Sequence, residues 1–334
     1  MKRLEDDHGV DAQTHVVFIF LDGVGIGPPD PHVNPFLRAS AGALRDLVGT
    51  GWPVVEEQAE LGLWWRGHRA RLYAADASLG VSGLPQSGTG TTSLLTGVNA
   101  ARLLGRHEGP FPPSPLHPVL RERNLFARVR SLGGTVTLAN AFPPSYLERL
   151  ARGRARRTTM TRAALAAGVR LRGARELERG LALSAFVTNE RWNRVAPSIP
   201  VISPQEAGAR LARLARAHTL TAFEFFQTDH AGHRQEMAWA IRVIEVVNGL
   251  LTGLLAHVDP ERTLVIVASD HGNCEDLSTN KHTLNPVPIL TWGRIDPHAP
   301  EMRRLTDVVP FVLHHVGAPA GGHKKAPDQD RGPS

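Results

Sequence analysis

HVVFIFLDGVG, residues 15–25, runs through six consecutive apolar residues after His15 and closes on Asp22 and a glycine-rich turn. An apolar run without alternation fits a strand covered on both faces, as in parallel sheets held between two layers of helices. The same unit recurs along the chain. RLYAADAS (71–78), GTVTLAN (134–140), LTAFEFFQ (220–227), TLVIVAS (263–269) and PVPILTW (286–292) read as further strands. Between them lie the helix-like segments FLRASAGALRDLV (36–48), TTSLLTG (91–97), HPVLRERNLFARVRSL (117–132) and PQEAGARLARLARAH (204–218), then a long helix from about 234 to 256 and a last one near 304–316. Strands alternating with amphipathic helices predict an α/β protein with a three-layer α/β/α core around a largely parallel sheet.

The core is expected to span 15–142 and 201–316 as one discontinuous domain. Residues 143–200 break the alternation with the Arg-dense ARGRARRTTMTR (151–162), which reads as either a small inserted cap or a surface elaboration. Residues 1–14 are expected to form a flexible leader, and 317–334, rich in Gly, Pro and charge, a disordered tail.

With 334 residues, 42% hydrophobic and 21% charged, the chain has the balance of a folded protein with a sizeable core. Its one cysteine, Cys274, excludes an intrachain disulfide, and MKRLEDDHGVDAQTH lacks the apolar run of a signal peptide. No uninterrupted apolar run reaches the ~18 residues of a membrane span. A cytoplasmic protein with no membrane contact is therefore expected. The net charge of +6 raises nucleic acid as a partner, but much of the excess is Arg on helices such as RLARLARAH (210–218), expected to be solvated faces. No nucleic-acid motif accompanies it.

Three predicted strands end in aspartate: Asp22 after FIFL, Asp229 after EFFQT and Asp270 after VIVAS. One such residue is ordinarily a turn or a helix cap. Three are different, because ligands of an open parallel sheet bind at the carboxyl ends of its strands, where the carboxylates converge. Asp229 and His233 stand four apart across a Gly-containing turn, Asp270 is followed by His271, and His282 lies in NKHTLNPVP (280–288). Carboxylates with imidazoles suit zinc or manganese. A hydroxyl to complete the set is expected in LPQSGTGTTSLLTG (84–97), a Gly- and Ser/Thr-rich loop entering a helix, where backbone amides favour anions.

Taken together, FLDGVG (20–25), LPQSGTG (84–90), TDHAGH (228–233) and ASDHGN with HTLNPVP (268–273 and 282–288) resemble the alkaline phosphatase superfamily of metalloenzymes. Within it the likeness is to the metal-binding domain of cofactor-independent phosphoglycerate mutases. The resemblance implies that Asp229, His233 and His282 hold one divalent ion, Mn2+ or Zn2+, and that Asp22, Asp270 and His271 hold a second with Ser87. It also implies the nucleophile: superfamily members place it ten residues before the glycine closing a small-residue helix, and Gly97 counts back to Ser87, two residues after Pro85. The loop departs from the mutase pattern, which has Glu and a Gly-His pair where this chain has Gly88, Thr89 and Gly90-Thr91. Cys274, inside SDHGNCED, reads as a passive small residue.

The expected activity is two-metal phosphoryl transfer on a small phosphorylated substrate. Phosphoglycerate mutases shelter their intermediate beneath a large inserted domain, whereas the segment available here, 143–200, is small, which favours hydrolysis of a phosphoserine over its transfer. A phosphomutase and a catalytically silent binder of a phosphorylated ligand are the alternatives. Sulfatases of the superfamily carry a Cys/Ser-x-Pro-x-Arg signature that Ser87-Gly88-Thr89-Gly90 does not match. Arg152, Arg154, Arg156, Arg157 and Arg162 are candidate clamps for the anionic part of the substrate, with a solvated basic face as the alternative.

Overall fold

The computed structural model describes residues 14–40, 42–49, 51–56 and 60–317, so the expected leader apart from Thr14, and the expected tail apart from Gly317, lie outside the described residues. Seven strands form one sheet: β1 (His15–Leu21), β2 (Gly62–Arg66), β3 (Ala70–Ala75), β4 (Val136–Leu138), β5 (Leu220–Phe225), β6 (Thr263–Ala268) and β7 (Val287–Gly293). Their order is β2-β3-β7-β6-β1-β5-β4. The centre is parallel, with β1 between β6 and β5, and β4 beyond β5. The other side of the sheet is antiparallel, through the β6/β7, β3/β7 and β2/β3 pairs.

β1 shows why the apolar run decides the architecture. Successive strand side chains point to opposite faces, so Val17, Ile19 and Leu21 join one buried cluster while Val16, Phe18 and Phe20 join another. The first cluster lies under the helices Pro204–Ala215 and Met237–Leu255. The second lies under helices that include Ser87–Thr96, Leu125–Ser131, Thr159–Ala166 and Val308–Gly317. Each fully buried Phe or Leu contributes about 1.5–3 kcal/mol by transfer, so both faces act as cores and the α/β/α sandwich follows.

Several local differences from the sequence reading have physical reasons. β2 was not anticipated, because GLWWR is only half-buried and shows neither a continuous apolar run nor alternation. The helix expected from about 234 to 256 is Met237–Leu255, and an unanticipated helix, Gln227–Arg234, precedes it, the two separated at Gln235, whose φ of 54° is left-handed. Met237–Leu255 is apolar and long enough to cross a membrane, yet Val243, Val247, Leu250 and Leu254 are buried against the sheet side of the molecule. Arg210, expected on a solvated face, is buried and donates through Nε to Glu206 Oε1 at 3.0 Å.

Candidate functional site

β6, β1 and β5 are neighbours, and the chain leaving each carries one of the three aspartates. Asp22 directly follows β1 and Asp270 follows β6 after one residue. Asp229 stands differently from its expected place at a strand end: β5 stops at Phe225 and Asp229 lies in the first turn of the helix Gln227–Arg234. The Asp229–His233 spacing is therefore i,i+4 on one helical face, which brings His233 Nε2 to 3.4 Å from Asp229 Oδ2. Gly232 inside that helix is needed for close approach, since a Cβ there would collide with Asn273 Oδ1.

The six predicted carboxylates and imidazoles converge. His282 Nε2 lies 3.5 Å from Asp229 Oδ1, and His271 Nε2 lies 3.2 Å from Asp22 Oδ1 and 3.6 Å from Asp270 Oδ1. The His271 and His282 rings stack with centroids 3.7 Å apart. Two groups have donor atoms close enough to share one ion: Asp229, His233 and His282, and Asp22, Asp229 and His271. Asp229 thus reaches both groups, whereas the sequence reading gave it to one.

The donor chemistry fits divalent ions on three observations. Each imidazole turns Nδ1 to a backbone carbonyl: His233 to Asn280 at 2.8 Å, His282 to Pro85 at 2.7 Å and His271 to Gly272 at 3.3 Å. A proton held at Nδ1 leaves Nε2, the atom facing the carboxylates, as a lone-pair donor. Asp270 Oδ1 is buried with no hydrogen-bond partner among the described residues. Finally, the carboxylates crowd one another. Burial pushes Asp270 up to about 7, with the His271 charge opposing and the Asp22 charge adding. Burial would lower His271, but Asp270 and Asp22 beside it raise it to about 10. Asp229, despite its burial, is held below the usual carboxylate range by His282 and the charge of His271. A site that raises its imidazole's proton affinity so far is one where a dication can take the proton's place.

Ser87 is the first residue of the helix Ser87–Thr96, which ends at Gly97 with φ 68°. Its Oγ lies 3.0 Å from His271 Nε2 and 3.5 Å from Asp22 Oδ1. The other hydroxyls of the loop are engaged elsewhere. Thr89 Oγ1 donates to the Gln86 carbonyl at 3.1 Å, Thr91 Oγ1 to Asp270 Oδ2 at 2.6 Å and Ser93 Oγ to the Thr89 carbonyl at 2.9 Å. The small residues after Ser87 let the helix approach this close: a Cβ at Gly90 would meet the Asp270 carbonyl at 2.6 Å. Ser87, Asp229, His233 and His282 line one cavity of about 470 Å3, together with Lys281.

None of the five arginines lines that cavity. Arg152, Arg154 and Arg156 are exposed and Arg157 and Arg162 half-buried. Arg156 lines a neighbouring cavity, its guanidinium 5.7 Å from the Phe111 ring centre. Arg162 Nε is buried without a partner among the described residues. Cys274 is fully buried, and burial, with the Glu275 charge, holds its thiol neutral far above the usual range.

Three residues that support the cluster escaped the sequence reading although they sit in or beside its motifs. Thr91 orients Asp270, and Asn273 Nδ2 donates to Asp229 Oδ1 at 2.7 Å. Glu275, fully buried, ties the loops together: its carboxylate accepts from the backbone amides of Gly25 at 2.8 Å and Asn273 at 2.7 Å, and from the side chains of Thr283 and Asn285. Glu275→Ala leaves these donors unmet and is expected to cost about 3–5 kcal/mol in urea unfolding. Glu275→Gln should cost less, because its amide oxygen can keep the two backbone donors while its NH2 faces the rotatable Thr283 hydroxyl, so that only the Asn285 Nδ2 bond is lost. Equal losses in the two variants would contradict this account.

A three-layer sandwich with carboxylate–imidazole groups at the carboxyl edge of its sheet is the framework of alkaline-phosphatase-like enzymes. The Thermus thermophilus alkaline phosphatase superposes with a TM-score of 0.52 at 14% identity, covering 91% of each chain. The PH0037 protein of Pyrococcus horikoshii gives 0.55 at 14% identity, covering 94% of this chain and 99% of that one. The chain belongs to the Metalloenzyme superfamily, whose family model matches residues 14–320. This membership implies divalent metal ions. A 2,3-bisphosphoglycerate-independent phosphoglycerate mutase of Roseobacter denitrificans is 32% identical over 126 residues, 35% of this chain and 25% of that protein. The Paracoccus denitrificans mutase is 33% identical over 128 residues, again 25% of its length. The chain thus spans about a quarter of the length of the curated relatives it matches.

Proposed function

We propose that this chain is a two-metal phosphatase that hydrolyses a phosphate monoester through a phosphoserine on Ser87. The observation that carries the reading is one hydroxyl, Ser87 Oγ, set at 3.0 Å from His271 Nε2 on the wall of the cavity that holds Asp229, His233 and His282. Asp229, His233 and His282 would hold one ion, and Asp22, Asp270 and His271 with Ser87 the other, with Asp229 also in reach of the second and manganese or zinc suited to these oxygen and nitrogen donors. When bound, such ions make a serine alkoxide accessible near neutral pH and offset charge on the phosphoryl oxygens.

The protein's own part is to position and to polarise. His271, fixed through Nδ1, keeps Nε2 against Ser87 Oγ. The start of the Ser87–Thr96 helix favours negative charge at the nucleophile, and Lys281 adds a cation on the same cavity wall. In the first half-reaction Ser87 Oγ gives its proton to solvent and the Oγ–P bond forms while the bond from phosphorus to the ester oxygen breaks, and the departing oxygen takes a proton from water. In the second, a water oxygen bonds to phosphorus, Ser87 Oγ leaves and regains a proton, and inorganic phosphate departs. We read residues 143–200 as a wall beside this site, with Arg156 the first candidate among its arginines for contact with an anionic substrate.

Acid quenching of the manganese-loaded protein during turnover should trap phosphate on the 84–97 segment at Ser87. With 3-phosphoglycerate, release of inorganic phosphate is the expected product. A phosphomutase differs only in the group that attacks the phosphoserine, and the SDHGN and HTLNPVP motifs are its strongest support. Interconversion of 2- and 3-phosphoglycerate without phosphate release would replace the hydrolase with it. Two bound ions without turnover on any ester would point to a silent binder.

A further inference from the structure

Beside the Ser87 cavity, at the same edge of the sheet, lies a second one of about 410 Å3. Six aromatic residues stand among its walls: Phe142 and Tyr146 stack at 5.2 Å, Phe186 meets Phe226 edge-on at 5.7 Å, and Phe111 and Trp192 complete the set. Three buried polar residues line it, Asn140, Thr161 and Glu224, of which Glu224 alone is ionisable. Glu224, on β5, is 8% exposed and lines the cavity, with Thr158 Oγ1 donating to its Oε2 at 3.0 Å and its backbone amide donating to Asn140 Oδ1 at 2.9 Å. Burial pushes Glu224 up to about 8, with Thr158 opposing and the Asp22 and Asp270 charges adding, so near neutral pH the carboxyl is largely an uncharged donor and acceptor.

Two features tie this cavity to Ser87. The segment 109–111 separates them, since Gly109 and Pro110 line the Ser87 cavity and Phe111 lines the other. The Phe111 carbonyl also lies against Gly88, where a Cβ would meet it at 2.6 Å. At the rim, guanidinium groups lie over rings and make no ion pair among the described residues: Arg156 over Phe111, Arg149 over Tyr146 and Arg191 over Phe186 at 3.7 Å. Cations held over aromatic faces, with no carboxylate partner, draw an anion with a ring attached.

Resting on the phosphatase reading, we propose that this cavity is the subsite for the alcohol part of the substrate, which is a phosphomonoester of an alcohol bearing a planar aromatic or heteroaromatic ring. The ring lies among Phe142, Tyr146, Phe186 and Phe226, and Glu224 bonds a polar atom at its far side. The phosphoryl end then reaches Ser87 past Phe111.

The test compares 2-naphthylmethyl phosphate with ethyl phosphate, both esters of primary alcohols, so that leaving-group chemistry differs little. The manganese-loaded protein should favour the naphthyl ester at least tenfold in kcat/KM, and Phe186→Ala and Tyr146→Ala should each cut that preference at least fivefold. The quinolin-7-ylmethyl ester should gain over the naphthyl ester, and Glu224→Leu should abolish the gain. Binding of 2-naphthylmethylphosphonate and ethylphosphonate, measured by calorimetry on Ser87→Ala, separates the subsite from the chemistry. A tenfold preference for the naphthyl ligand there, without hydrolysis of either ester by the unmutated protein, would keep the subsite and remove the phosphatase reading. Hydrolysis of both esters without ring preference, or a preference untouched by the cavity variants, would overturn the subsite.

Discussion

Ser87→Ala is expected to lower phosphate-ester turnover by at least about a thousandfold while leaving the fold intact. The loss follows from what no other group can supply. Thr89 and Ser93 give their hydroxyls to backbone carbonyls of their own helix, and Thr91 gives its own to Asp270, so none is free to replace the missing oxygen at the cavity wall. The fold should survive because Ser87 Oγ bonds only to the cluster, not to the helix backbone, and alanine is well accepted in the first turn of a helix. Thr89→Ala is the informative control: it should keep turnover and lose some stability, since Thr89 is fully buried and also accepts from the Glu108 amide at 3.2 Å. Circular dichroism and initial rates on both variants decide the point. An inactive Thr89→Ala beside a normal Ser87→Ala would move the nucleophile.

Much of the framework could be read in the sequence because it depends on burial, which composition records directly. β1, β5 and β6 are covered on both faces, so β1 and β6 are apolar without interruption after their first residue and β5 is broken only by Thr221 and Glu224, and the three aspartates that end or follow these runs stand out against them. What escaped depends on pairing instead. The antiparallel side of the sheet follows from which strand β7 meets, and nothing in VPILTWG marks direction. Glu275 reads as one acidic residue in a polar loop, and its role appears only once Gly25, from the other end of the chain, is laid against it. The aromatic cavity was hidden for the same reason, since Phe111, Phe142, Phe186 and Phe226 are spread over more than a hundred residues and meet only through the fold. Asp229 shows a milder case: its spacing to His233 was plain, but the helix that makes four residues one face was read as a turn.

That helix bears on the second large effect, the loss of bound metal on removing a single carboxylate. The unmutated protein is expected to retain two equivalents of manganese or zinc after desalting, and Asp229→Ala to retain well under one. Asp229 is the residue common to the two donor groups: Oδ1 and Oδ2 lie 3.5 Å from His282 and 3.4 Å from His233 in the first, and one of its oxygens lies within 4.8 Å of the Asp22 and His271 donor atoms of the second. Asp270→Ala should lose about one equivalent, because Asp270 faces His271 alone among the imidazoles, at 3.6 Å. Elemental analysis gives the stoichiometry, and melting with and without added metal gives an independent reading. A ligand held at a hundred times its Kd stabilises the native state by about 2.7 kcal/mol, so the metal-induced rise in Tm should shrink in Asp270→Ala and nearly vanish in Asp229→Ala. The order of the two variants separates a shared carboxylate from two independent sites: equal losses would return Asp229 to one ion only. Full stoichiometry in both would mean that the convergence of Asp22, Asp229 and Asp270 is held together by hydrogen bonds and protons rather than by metal.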